Sequence, residues 1–158
     1  VITLLIFVIL LPFALVILLG APYLPTRKQQ AEQALKLLDL KPGQVFIDLG
    51  CGDGVMLVHA AKRGLICYGY ELNPLVWLVA RVRTYRNRDS VHVYLKNYWK
   101  VELPKADGIY VFLLDKYMKK LDEKLKREAT GARLISYTFK IPGKKIIKTK
   151  DALNLYQY

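Results

Sequence analysis

Val45-Phe46-Ile47-Asp48-Leu49-Gly50-Cys51-Gly52-Asp53-Gly54 is the stretch on which the reading of this chain turns. The apolar run Val45–Leu49 reads as a short strand, the glycines as a tight turn, and Val55–Arg63 as a helix. Glycines at this place let the backbone turn sharply and bring the N–H groups of a helix start against a ligand. Glu71 ends the next apolar strand, Leu65–Tyr70, about 20 residues further on, where a carboxylate can accept both hydroxyls of a ribose. A dinucleotide fingerprint requires G-x-G-x-x-G, and position 55 is valine. Asp48, ahead of the first glycine, suits a cationic amino-acid ligand better than a pyrophosphate.

Working outward, Thr26 followed by Gln29 reads as a capping box. Ala31, Ala34, Leu35 and Leu38 then share one helix face, and Lys41-Pro42-Gly43 stops that helix. Asn73 and Pro74 read as N-cap and first residue of another helix, with Leu75, Leu78, Val79 and Val82 as its inner face. Val91–Leu95, Ile109–Leu114 and Ala132–Phe139 read as strands, the second apolar enough to be covered on both sides. Asp115 is placed as the cap of a charged helix reaching Ala129. Lys144–Tyr158 suggests a final hairpin. Strand and helix alternate after one leading helix, which predicts a doubly wound, mostly parallel α/β sheet.

The chain has 158 residues, 53% of them hydrophobic, and a mean hydropathy of +0.17. That apolar content excludes disorder. The two cysteines, Cys51 and Cys67, exclude a disulfide scaffold, and with His59 and His92 they have no metal-ligand spacing. Much of the apolar excess lies in Val1–Gly20, about the length that crosses a bilayer's hydrocarbon core. The expectation is a single transmembrane helix over 1–20, a linker and leading helix over 21–43, and a ligand-binding domain over 44–158. Arg27 and Lys28 close behind the span, and a net charge of +12, place that domain in the cytoplasm. Arg81, Arg83, Arg86 and Arg88 cluster near one helix end, and Lys116, Lys119, Lys120, Lys124, Lys126 and Arg127 crowd another. These read as solvated faces, as attraction to anionic lipid, or last as a nucleic-acid surface.

Asp48-x-Gly50-x-Gly52-x-Gly54 with a spaced Glu71 resembles motif I of class I S-adenosylmethionine methyltransferases. Pro22-Tyr23-Leu24-Pro25-Thr26, Gly69-Tyr70-Glu71-Leu72-Asn73-Pro74, Trp99-Lys100-Val101, Leu121–Glu128 and Gly131-Ala132-Arg133 narrow the likeness. Together they resemble the small membrane-anchored lysine methyltransferases that act on the ATP synthase c-subunit and the adenine nucleotide translocase. The resemblance implies a Rossmann-like class I methyltransferase sheet with helices on both faces and S-adenosyl-L-methionine as cofactor. It implies N-methylation of a lysine in a protein, membrane proteins included among the candidates. Cofactor-binding candidates are Asp48, Gly50, Cys51, Gly52, Gly54, Glu71, Leu72, Asn73, Asn97, Tyr98 and Thr26; candidates beside the reacting atoms are Asp115 and Tyr23. Asn73 reads equally as a plain helix cap, Asn97 as a turn residue, and Tyr23 as an interfacial aromatic. The chain departs from the family at Asn97, where aspartate is usual, near Asp115, and at Lys140-Ile141-Pro142-Gly143-Lys144-Lys145. Leu113-Leu114-Asp115-Lys116 lacks the Asn/Asp-Pro-Pro-Tyr signature of adenine or glutamine amino-methylation. Methylation of a small-molecule or lipid amine, and a non-catalytic membrane-surface module, remain as alternatives.

Overall fold

A computed structural model describes residues 26–158. The apolar run Val1–Gly20 and Tyr23 lie outside them. Among the described residues no helix is long and apolar enough to cross a membrane.

The elements in chain order are α1 (Lys28–Leu38), β1 (Val45–Leu49), α2 (Val55–Ala61), β2 (Ile66–Glu71), α3 (Pro74–Thr84), β3 (Val91–Leu95), β4 (Gly108–Phe112), α4 (Met118–Glu128), β5 (Arg133–Tyr137), β6 (Lys148–Lys150) and β7 (Leu153–Gln157). They form one seven-stranded sheet in the order β3-β2-β1-β4-β5-β7-β6. The first five strands are parallel; β7 runs antiparallel to both β5 and β6. The chain builds outward from β1 to β3, then crosses back to start β4 on the other side of β1. That reversal opens a crevice at the carboxyl ends of β1 and β4, the usual ligand position in such sheets.

Each face of the sheet carries its own core. Ala31, Ala34, Leu35 and Leu38 of α1 are buried as their spacing predicts, with Met56, Leu57, Ala80 and Phe46. Leu121 and Leu125 of α4 join Ile47, Ile109 and Val111 on the opposite face.

Four local expectations are corrected. Arg27 is the N-cap position of α1 and no side chain caps it, so the Thr26–Gln29 box does not form. Instead Thr26 hydrogen-bonds with the Tyr110 phenol, as does Gln30, whose Nε2 donates at 2.7 Å. Asp115 caps no helix: Leu114 is the cap position, and Asp115–Tyr117 form a 3-10 turn that leads into α4. Lys124 is not on a solvated face. It is buried, and its Nζ donates to the Val101 carbonyl at 2.7 Å and to Glu128 Oε2 at 2.6 Å.

The fourth correction concerns α3. Leu75, Leu78, Val79 and Val82 face outward, exposed by 41%, 55%, 48% and 71%. Val76, Ala80 and Thr84 face inward. Steric fit chooses the face. A Cβ on Gly54 would stand 3.3 Å from Ala80 Cβ and 3.2 Å from Thr84 Cγ2. The helix approaches the glycine turn so closely that only small residues fit between, and its bulky residues are turned out.

Candidate functional site

The turn Gly50–Gly54 joins β1 to α2 at the sheet's central crevice. Gly50, Gly52 and Gly54 have φ of 81°, 55° and 82°, where side chains other than glycine are strained. The N–H groups of Gly50 and Cys51 both donate to the Tyr70 carbonyl at 2.9 Å, tying the turn to β2. Gly69 of β2 lies under it: a Cβ there would meet Leu57 Cδ1 at 2.5 Å and Cys51 Sγ at 2.9 Å.

Glu71 completes the tie. Its Oε2 accepts from Gly52 N–H at 2.9 Å, and its Oε1 accepts from the N–H groups of Leu72 and Asn73, each at 2.8 Å. One buried carboxylate therefore fixes both the glycine turn and the start of the β2–α3 connection. Asn73 caps α3, its Oδ1 accepting from Leu75 N–H at 3.0 Å and Val76 N–H at 3.4 Å. Its Nδ2 is buried without a hydrogen-bond partner. Such an orphaned donor is costly unless a ligand supplies the acceptor.

The electrostatics are those of a cation site. Asp48, at the end of β1, is 3% exposed. Burial, then the charges of Glu71 and Asp53, hold its carboxyl well above the ordinary carboxylate range. Asp53 is paired with Arg83 of α3 at 2.8 Å. The Cys51 thiol is pushed up by burial and then by Asp48 and Glu71, so it remains a neutral packing group rather than a nucleophile.

Asp48 stands opposite Tyr110 of β4 in the parallel register. Burial, and next the Asp48 charge, raise the Tyr110 phenol. Through Tyr110 the leading segment, by Thr26 and Gln30, is held over the Asp48 end of the crevice. Tyr98 reaches the Glu71 end: burial, then the Glu71 charge, push its phenol up. It adjoins Trp99, with ring centroids 4.8 Å apart, and Trp99 adjoins Tyr117 at 6.4 Å.

The structure thus gathers Asp48, the glycine turn with Cys51, Glu71, Leu72, Asn73, Tyr98 and, through Tyr110, Thr26. Asn97 is occupied as a turn cap, its Oδ1 accepting from Trp99 N–H at 3.0 Å. Asp115 is exposed, in the turn that follows β4. Sequence reasoning assigns no site role to Gln30, Arg83 or Tyr110. Tyr110, a polar hydroxyl inside the apolar run Ile109–Leu114, is the one available signal.

Comparison with known proteins matches residues 48–148 to the family model described as the ANTKMT methyltransferase domain. The human lysine N-methyltransferase of the ATP synthase c-subunit is 36% identical over 125 residues, 77% of this chain and 53% of that protein. A protein-lysine N-methyltransferase of Saccharolobus islandicus is 28% identical over 138 residues, 82% of this chain and 86% of that protein. The chain spans about half the length of the vertebrate ATP synthase c-subunit methyltransferases it matches. Among solved structures, an RNA methyltransferase from Salinibacter ruber, bound to S-adenosyl-L-homocysteine, superposes with a TM-score of 0.78. It is 24% identical, covering 84% of this chain and 91% of that one, a likeness of fold.

Proposed function

The chain belongs to the ANTKMT methyltransferase domain family, and from that premise we propose that it is an S-adenosylmethionine-dependent methyltransferase acting on a lysine amine of a protein. The observation that carries the proposal is the Glu71 carboxylate bonded to Gly52 N–H beside the buried Asp48. The curated relatives that share this region are named lysine N-methyltransferases.

The residues fit the cofactor. Its sulfonium and ammonium charges match a crevice in which burial, and then the Glu71 charge, raise the Asp48 carboxyl. The Asn73 Nδ2 donor is free for the nucleoside. Gly50, Gly52 and Gly54 leave room for close backbone approach, with Cys51 and Leu72 flanking. Glu71 Oε2, which accepts only one backbone N–H, would take a ribose hydroxyl, Asp48 would lie toward the methionine end, and Tyr98 would border the nucleoside. When bound, S-adenosylmethionine supplies an electrophilic methyl group.

The chain's own contribution is alignment and desolvation, effects worth up to about 7–11 kcal/mol in well-oriented reactions. The acceptor must arrive as a neutral amine, and a free lysine has a pKa of about 10.4. A desolvated site at the β4 end, bordered by Tyr98, Trp99 and Tyr117, favours loss of that proton. Asp115, exposed in the turn after β4, is the candidate carboxylate for meeting the incoming lysine. The apolar run Val1–Gly20 supports an anchored enzyme with its domain on the cytoplasmic side and a membrane protein as substrate.

Incubation of the protein with membranes and methyl-labelled S-adenosylmethionine, followed by peptide mapping, tests the reading. Label on lysine ε-nitrogens is expected. Label confined to extractable lipid or to RNA overturns the protein-lysine assignment.

A further inference from the structure

The outward face of α3 is unaccounted for by the site. Leu75, Leu78, Val79 and Val82 follow one another at i, i+3, i+4 and i+7, and Tyr85, 64% exposed, extends the row. Contiguous apolar side chains of this kind on a folded surface mark a contact. No aspartate or glutamate occurs between Pro74 and Arg88, whereas Arg81, Arg83, Arg86 and Arg88 all do. Arg83 is committed to Asp53. Arg88 leans over the Tyr85 ring at 4.9 Å, which keeps its guanidinium at the border of the apolar row, and Arg81 stands over the Trp77 ring at 5.9 Å on the flank of the helix.

We propose that this face docks on an anionic bilayer surface, the apolar row entering the headgroup–acyl boundary and Arg81, Arg86 and Arg88 meeting lipid phosphates. An interfacial helix combines these features: an apolar row, aromatic residues at its margin and arginines beside it. Charge decides between occupants. A second copy would set the same arginines against one another, on a chain already at +12. An anionic membrane offers the opposite sign over an extended plane, each arginine adding to the attraction. The docking is separate from any anchoring by Val1–Gly20, because it fixes the orientation of the folded domain rather than its attachment.

The test reads depth, so attachment alone does not satisfy it. The full chain carries an environment-sensitive label at Val82→Cys, or at Lys150→Cys on β6 at the other edge of the sheet. Cys51 and Cys67 are buried and do not compete. The protein is mixed with vesicles of phosphatidylcholine, alone or with phosphatidylserine, containing bromine-quenched acyl chains. Quenching at Val82 is expected at least threefold stronger than at Lys150 in the anionic vesicles, and weaker without phosphatidylserine. The triple change Arg81→Glu, Arg86→Glu, Arg88→Glu, and separately Val79→Asp, should each reduce it at least threefold while the thermal transition is kept. Equal quenching at the two sites overturns the proposal. So does a Val82 label shielded before lipid is added, or disulfide crosslinking of Val82→Cys between chains, either of which assigns the face to a protein. No methyl transfer is measured, so the outcome stands apart from the proposed activity.

Discussion

Replacing Glu71 by glutamine keeps the side chain's shape and removes one acceptor and the charge. In the wild type two oxygens serve three N–H groups: Gly52 on one side, Leu72 and Asn73 on the other. Glutamine satisfies the pair through its remaining oxygen and presents an NH2 group to Gly52 N–H. An unsatisfied buried donor costs about 1–3 kcal/mol, and loss of charge assistance on the other two bonds adds about 1 kcal/mol. The sum, about 2–4 kcal/mol, is a sizeable part of the 5–15 kcal/mol typical of a domain, so the variant folds with its Tm lowered by roughly 10 °C. Cofactor affinity falls further, because the ribose loses a charged acceptor and the glycine turn its staple. A hundredfold weaker Kd corresponds to about 2.7 kcal/mol. Calorimetric titration with S-adenosylmethionine, beside melting curves with and without it, separates the two effects. Asp53→Asn, which loosens the Arg83 pair, is the control that should lower Tm with a much smaller change in Kd. A Kd for Glu71→Gln within threefold of wild type, with the Tm lowered as expected, refutes the ribose role and leaves Glu71 a staple only.

Gly69→Ala forces a Cβ against Leu57 and Cys51, and should cost about 1–3 kcal/mol in denaturant unfolding. Lys124→Ala leaves Glu128 partly buried without its cation and the Val101 carbonyl without its donor, so a loss of about 3–5 kcal/mol is expected by the same measurement. Asp48 has a raised folded pKa, so stability associated with it is full below its unfolded value and declines as pH rises through the folded one. Asp48→Asn should therefore remove that decline from the pH–stability curve while weakening cofactor affinity. A cation binding below the raised pKa should also release a proton, seen as titration enthalpies that differ between buffers of different ionisation heat. Asp122 runs the other way. Burial raises its pKa, but hydrogen bonds from Lys126 and Tyr158 outweigh burial and lower it. Its contribution is present above the ordinary carboxylate pKa and is lost as pH falls through the lowered value, so Asp122→Asn should flatten the acid limb of unfolding.

Residue order by itself determined the strand–glycine turn–helix unit, the spacing from the turn to Glu71, the Asn73–Pro74 helix start and the buried face of α1. These depend on neighbours a few residues apart: backbone freedom at glycine, a side-chain oxygen reaching an N–H two residues on, apolar groups recurring every third or fourth place. Other features lay with the tertiary structure. The residues Pro74–Thr84 are apolar nearly all round, and only the approach of Gly54 to Ala80 and Thr84 selects which side goes in. Lys124 looks like any other lysine of a charged helix until Val101 and Glu128 arrive beside it. Tyr110 joins the site because β4 lies next to β1, which brings its hydroxyl to Gln30 and Thr26, 80 or more positions away in the chain. Local pattern states what a segment can become, and which neighbour reaches it through space is a property of the packed sheet.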